Sequence, residues 1–127
     1  MSGVVFDTGA LIAVERGDRA IAVLLAEARR TAAPITVPAG CVAQAWRSPA
    51  RQARMAALLR QRHVEVVALD DEDARRVGVL LAATGTTDVI DAHVALCAHR
   101  TRRTVLTSDP DDIRRLAPGA DIHRIQV

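Results

Sequence analysis

Aspartates placed just after apolar runs are the residues of this chain best suited to chemistry. Asp7 closes the run Val4-Val5-Phe6 in VVFDTGALIA, and Asp109 follows Val105-Leu106 in VLTSDPDDI. Asp88 and Asp91, in TTDVIDAHVALCA, are three residues apart, so they share one face of a helix at its first turn. Each acid has a plain structural use: Asp7, Asp88 and Asp109 or Asp111 can cap the helix that follows, and Asp91 can satisfy first-turn donors. Gathered at one place they do more. Several carboxylates together repel unless a cation neutralises them. Hard oxygen donors without a Cys/His cluster select Mg2+ or Mn2+.

The elements that must position these acids can be read from periodicity and caps. Strands are expected at Gly3–Asp7, Ile35–Val37, Val64–Leu69 and Thr104–Thr107, with a last edge strand at Ile122–Val127. Helices are expected at Thr8–Glu15 (ended by Gly17), from the cap Asp18 to Arg30, and at Ala39–Arg47. Further helices should run from the Ser48-Pro49 start to Arg62, over Asp70–Ala83 before Gly85, over Asp88–Arg100, and over Asp111–Leu116. Strands alternate with helices throughout, which implies an α/β fold with a mainly parallel sheet covered on both faces. Length allows one domain, residues 1–127, and no repeat or linker is visible. In such sheets ligand sites form beyond the carboxyl ends of the strands. Asp7 and Asp109 both sit there.

This pattern separates the rival chemistries. Asp7-Thr8-Gly9 is also the loop of retroviral-type aspartic proteases, but those are nearly all β, and the residues after Gly9 favour helix. A phospho-acceptor receiver domain needs adjacent acids after its first strand and a later lysine, and the chain has no lysine. A phosphatase of the HAD type needs Asp-x-Asp, and Gly9 occupies the second position.

Charge adds a second theme. All 17 basic residues are arginine, and the formal net charge is +2. No acid falls between Glu27 and Glu65, while Arg29, Arg30, Arg47, Arg51, Arg54, Arg60 and Arg62 do. That flank fits either a polyanion or a solvated helix face. Arg51, Arg54 and Arg62 are expected on one face of their helix around Leu58. Arg100, Arg102 and Arg103 cluster at the end of the Asp91 helix, where the dipole also explains them. Phe6 and Trp46 are the only aromatics, so recognition of a polyanion by stacked bases is disfavoured. His93 lies about 200° round the helix from Asp91 and should face away. Thr8, Thr107 and Ser108 can hydrogen-bond the carboxylates. Cys41 and Cys97 have no paired spacing and fit buried thiols. No signal-peptide pattern or apolar run of membrane-spanning length is visible, so a cytoplasmic location is expected.

The three acidic blocks, in this order and spacing, resemble the PIN domain of the small bacterial VapC-type toxins. The resemblance covers nearly the whole chain. It implies an α/β/α sandwich and a Mg2+- or Mn2+-dependent endoribonuclease, with Asp7, Asp91 and Asp109 as the catalytic, cation-holding positions and Asp88 and Asp112 as accessories. RNA would be gripped by Arg51, Arg54, Arg62, Arg102 and Arg103. The resemblance also implies a cognate antitoxin and a homodimer. Leu11, Ile12, Val14, Ile21, Leu24 and Leu25 could serve as a partner groove or as ordinary core. There is one departure. Gln44, in VPAGCVAQAWRS, stands where the family usually has Glu, so the site loses a charge and keeps only an oxygen acceptor. The alternative is a catalytically weakened PIN-like binding module.

Overall fold

A computed structural model describes residues 2–126. Five strands form one sheet: β1 (Val4–Phe6), β2 (Ile35–Pro38), β3 (Val64–Val67), β4 (Thr104–Thr107) and β5 (Ile122–Arg124). All pairings are parallel, in the order β3-β2-β1-β4-β5. Strands β1 and β2 are buried throughout, as apolar runs in a parallel sheet covered on both faces must be. Seven helices complete an α/β/α sandwich: α1 (Thr8–Glu15), α2 (Arg19–Thr31), α3 (Ala39–Ala45), α4 (Ala53–Leu59), α5 (Asp71–Thr84), α6 (Val89–Thr101) and α7 (Pro110–Leu116). Helices α2, α3 and α4 pack on α1, while α5, α6 and α7 pack together, with α6 lying on β1, β2 and β4.

The caps follow the sequence. Asp7, Asp18, Asp70 and Asp88 each accept from a backbone N–H inside the helix they start. The expected α1 stop at Gly17 also holds, with Gly17 at φ +69°.

Several expected boundaries differ: β1 is Val4–Phe6 rather than Gly3–Asp7, β3 ends at Val67 rather than Leu69, α3 ends at Ala45 rather than Arg47, and two differences are larger. The helix before β3 does not start at Ser48-Pro49 or reach Arg62. Gln52, 7% exposed, accepts from the Arg47 and Ser48 N–H groups at 2.9 and 2.7 Å. Arg51 N–H closes a turn onto the Ser48 carbonyl at 3.1 Å. The chain is held in this turn until Ala53, and the helix ends at Leu59. The last strand ends at Arg124, and Val127 lies outside the described residues.

No single helix among the described residues is long and apolar enough to cross a membrane; α5 and α6 qualify together only as a pair bent by 103°. Cys41 and Cys97 are free and buried.

Candidate functional site

The strand order reverses at β1. Its chain neighbour β2 lies on one side and β4, reached only after β3, on the other. Such a switch point opens a crevice beyond the carboxyl ends of the two strands. Asp7 follows β1 and Asp109 follows β4, with Phe6 in register opposite Leu106. The sheet therefore brings together two acids separated by a hundred residues of chain.

Asp7, Asp88 and Asp109 occupy the N-cap positions of α1, α6 and α7. Asp7 Oδ1 accepts from Ala10 N–H at 2.9 Å, and Asp88 Oδ1 accepts from Asp91 N–H at 2.9 Å. Asp109 makes no side-chain cap bond. A cap bond occupies one of two carboxylate oxygens, so capping and a further role are compatible. Thr107, fully buried, accepts Asp109 N–H at 2.9 Å and lies hydrogen-bonded beside Asp7. It ties the two strand-end acids to each other.

Electrostatics show that the acids form one group. Burial raises the Asp7 pKa, the hydrogen bonds from Thr107, Ala10 and Gly9 oppose the rise, and the Asp109 charge adds to it. Asp91 is half-buried; burial first, then the charges of Asp88, Asp112, Asp7 and Asp109, push it to about 6. Asp112 is raised by its hydrogen bond with Asp109, then by burial and the Asp109 charge. Among the described residues no three His, Cys, Asp or Glu side chains already stand in metal-ligating geometry. The set is a cluster of neighbours rather than a closed ligand shell. Its donors are all hard oxygens, and its mutual repulsion is what a divalent cation relieves, so Mg2+ or Mn2+ fits. Burial pushes the nearby Cys41 thiol up to about 12.

Two glycines set the spacing. A Cβ on Gly9 would collide with the Ser108 hydroxyl, stand 2.9 Å from Ser108 Cβ and 3.3 Å from Asp7 Oδ1. A Cβ on Gly40 would stand 2.9 Å from Ile90 Cγ1, beside Asp91. The sequence signals the first only as the Gly of Asp-Thr-Gly and gives no sign of the second. Gln44, on α3, accepts a hydrogen bond from the Thr8 hydroxyl at 2.5 Å.

The arginines do not assemble as expected. Arg51 is exposed on the Ser48–Arg51 turn. Arg54 Nη1 donates to the Glu15 carbonyl at 3.0 Å. Arg62 lies beyond the end of α4, at the start of β3, so these three share no helix face. Arg102 and Arg103 precede β4 and stand at the opposite end of that strand from Asp109. There they line a cavity of about 670 Å3 with Leu96, Leu116 and Pro118. Arg100 is engaged by Asp73 of α5, at 2.6 and 3.2 Å. His93 faces away from the acids, as expected: it is 1% exposed, with Nε2 3.7 Å from Asp73 Oδ2.

The fold and this edge define a class of protein: an α/β/α domain carrying an aspartate cluster at its topological switch point. The chain belongs to the PIN domain family, which it matches over residues 4–118. In structure it is similar to a chain of VapBC2 from Rickettsia felis, solved bound to a DNA fragment from their promoter. The TM-score is 0.65 at 13% identity, covering 96% of this chain and 98% of that one. At that identity the likeness is one of fold. No curated protein matches the chain in sequence.

Proposed function

We propose that this chain is a Mg2+- or Mn2+-dependent endoribonuclease of the VapC toxin class, hydrolysing RNA phosphodiester bonds and neutralised by a cognate antitoxin. The observation that carries the reading is the meeting of Asp7 and Asp109 at the β1–β4 switch point, tied through Thr107, with the half-buried Asp91 among the same carboxylates. Such a cluster is costly to keep unless it binds a cation. Asp7, Asp91 and Asp109 would hold the ion, with Asp88 and Asp112 as accessories. When bound, a cation of this kind polarises the phosphate and makes a bound water nucleophilic.

The protein's own contribution is placement. Thr107 and the Ala10 N–H fix Asp7. The Asp88 cap fixes the first turn that carries Asp91. His93 is turned to Asp73 and away from these acids. Arg51 offers an exposed guanidinium for phosphate contact. Arg62, Arg102 and Arg103 would meet only a strand that wraps to the far end of the sheet.

The α1–α2 surface offers a place for a partner. Leu11, Val14 and Ile21 are core, while Leu24 and Leu25 are half-buried. Val14, Ile21, Leu25, Ala57 and Leu58 line a groove of about 250 Å3 between α1–α2 and α4. We place an apolar antitoxin helix there.

The test is Mn2+ calorimetry together with an RNA cleavage screen, on the wild type and Asp7→Asn. Binding and cleavage that both collapse in Asp7→Asn support the nuclease. A wild type that binds no cation at millimolar concentration and cleaves no RNA makes the domain a PIN-like binding module.

A further inference from the structure

Gln44 stands near the acids without a charge, and the structure gives its amide a defined orientation. Its Oε1 accepts from the Thr8 hydroxyl at 2.5 Å. Thr8 opens α1 and follows Asp7 directly, so the amide is tied to the backbone next to a site carboxylate. Helix α3, which carries Gln44, packs on both α1 and α6. Gly40 allows that approach to the turn bearing Asp91.

A carboxamide has one acceptor atom and one donor atom. A cation would need the oxygen, and one of its two lone pairs already accepts the Thr8 hydroxyl proton. Gln44 is exposed, and its nitrogen has no protein hydrogen-bond partner among the described residues. The acids nearby form an electronegative edge, where a phosphate needs a cation or hydrogen-bond donors to be held.

We propose that Gln44 is a substrate-positioning residue: its amide nitrogen, oriented by Thr8, donates to a non-bridging oxygen of the RNA phosphate held at the acidic edge, instead of adding a cation ligand. This rests on the nuclease reading above. It gives Gln44 a role that a glutamate could not fill, because a carboxylate has no donor and would repel the phosphate.

The experiment compares the wild type with Gln44→Leu, Gln44→Glu, Thr8→Val and Thr8→Ser. Mn2+ affinity is read by calorimetry. Affinity for a fluorescein-labelled mixed-sequence oligoribonucleotide is read by anisotropy, with Ca2+ present so that the strand survives. Gln44→Leu should bind Mn2+ as the wild type does and RNA about tenfold more weakly, the usual worth of a hydrogen bond to a charged group. Gln44→Glu should bind Mn2+ more tightly and RNA more weakly. Thr8→Val should lose part of the RNA affinity, and Thr8→Ser should keep it. Weaker Mn2+ binding by Gln44→Leu, with RNA affinity unchanged, overturns the proposal and makes Gln44 a cation ligand. A wild type that binds neither Mn2+ nor RNA overturns the nuclease reading and this one with it. Because Gln44 is exposed, all of its variants should fold, and circular dichroism checks this.

Discussion

Asp91→Asn should stabilise the cation-free protein at neutral pH. In the folded chain the Asp91 carboxyl is raised from 3.8 to about 6. Between those values the folded state holds a proton that the unfolded state has released. Acidification through this window therefore favours folding, and the advantage is gone once the pH exceeds about 6. Above it, wild-type Asp91 is charged and destabilising. At about 1.4 kcal/mol per pH unit the full difference is near 3 kcal/mol, and a half-buried group still touching water realises about 1–3 kcal/mol. Asparagine has similar size and no charge, and it can donate to the neighbouring carboxylates. In EDTA the variant should melt above the wild type at pH 7.5, by roughly 3–6 °C per kcal/mol for a chain of this length. At pH 4 the two should coincide. Saturating Mg2+ should raise the wild type and leave the variant unmoved, narrowing or reversing the order. Calorimetric melts at both pH values read this directly. An asparagine variant that is less stable by the same amount at pH 4 and 7.5 would refute the electrostatic account, since a packing loss carries no pH dependence.

Gly9→Ala should destabilise the fold by about 1–3 kcal/mol although alanine is the better helix former, because its Cβ meets Ser108. Mn2+ affinity should fall with it as Asp7 shifts; chemical denaturation and calorimetry check the two effects. Asp73→Ala should cost about 1–3 kcal/mol at pH 7, moderated because Arg100 can reach water. Arg100 holds the Asp73 carboxyl below 3.8, so the pair's contribution is present above that pH and lost as pH falls through the lowered value. The difference between Asp73→Ala and wild type should shrink in denaturation at pH 3, and a difference constant with pH would sink the ion-pair explanation.

Much of the architecture was legible in the linear chain because local rules act strongly here. Apolar runs such as Val4-Val5-Phe6 can only be buried strands in a covered sheet. Asp7, Asp18 and Asp88 declare their helices by capping them. Asp7 and Asp109 marked the candidate site, since a strand-end carboxylate in an α/β pattern lies where ligand sites form. Where local signals competed, the sequence misled. Ser48-Pro49 has the types of a helix start, yet a buried Gln52 claims the two N–H groups before it and delays the helix.

What the sequence determined by itself was the alternation of elements, the positions of the acids and the absence of lysine. The tertiary structure decided which of these meet. The order β3-β2-β1-β4-β5 sets β1 beside β4, and only that adjacency makes Asp7 and Asp109 neighbours tied through Thr107. It also removed Arg100 from the set of free cations by facing it with Asp73, and it sent Arg102 and Arg103 to the far end of β4. These outcomes depend on contacts between residues far apart in the chain. Residue type and local spacing do not encode them, because a guanidinium or carboxylate takes its role from the charge packed against it.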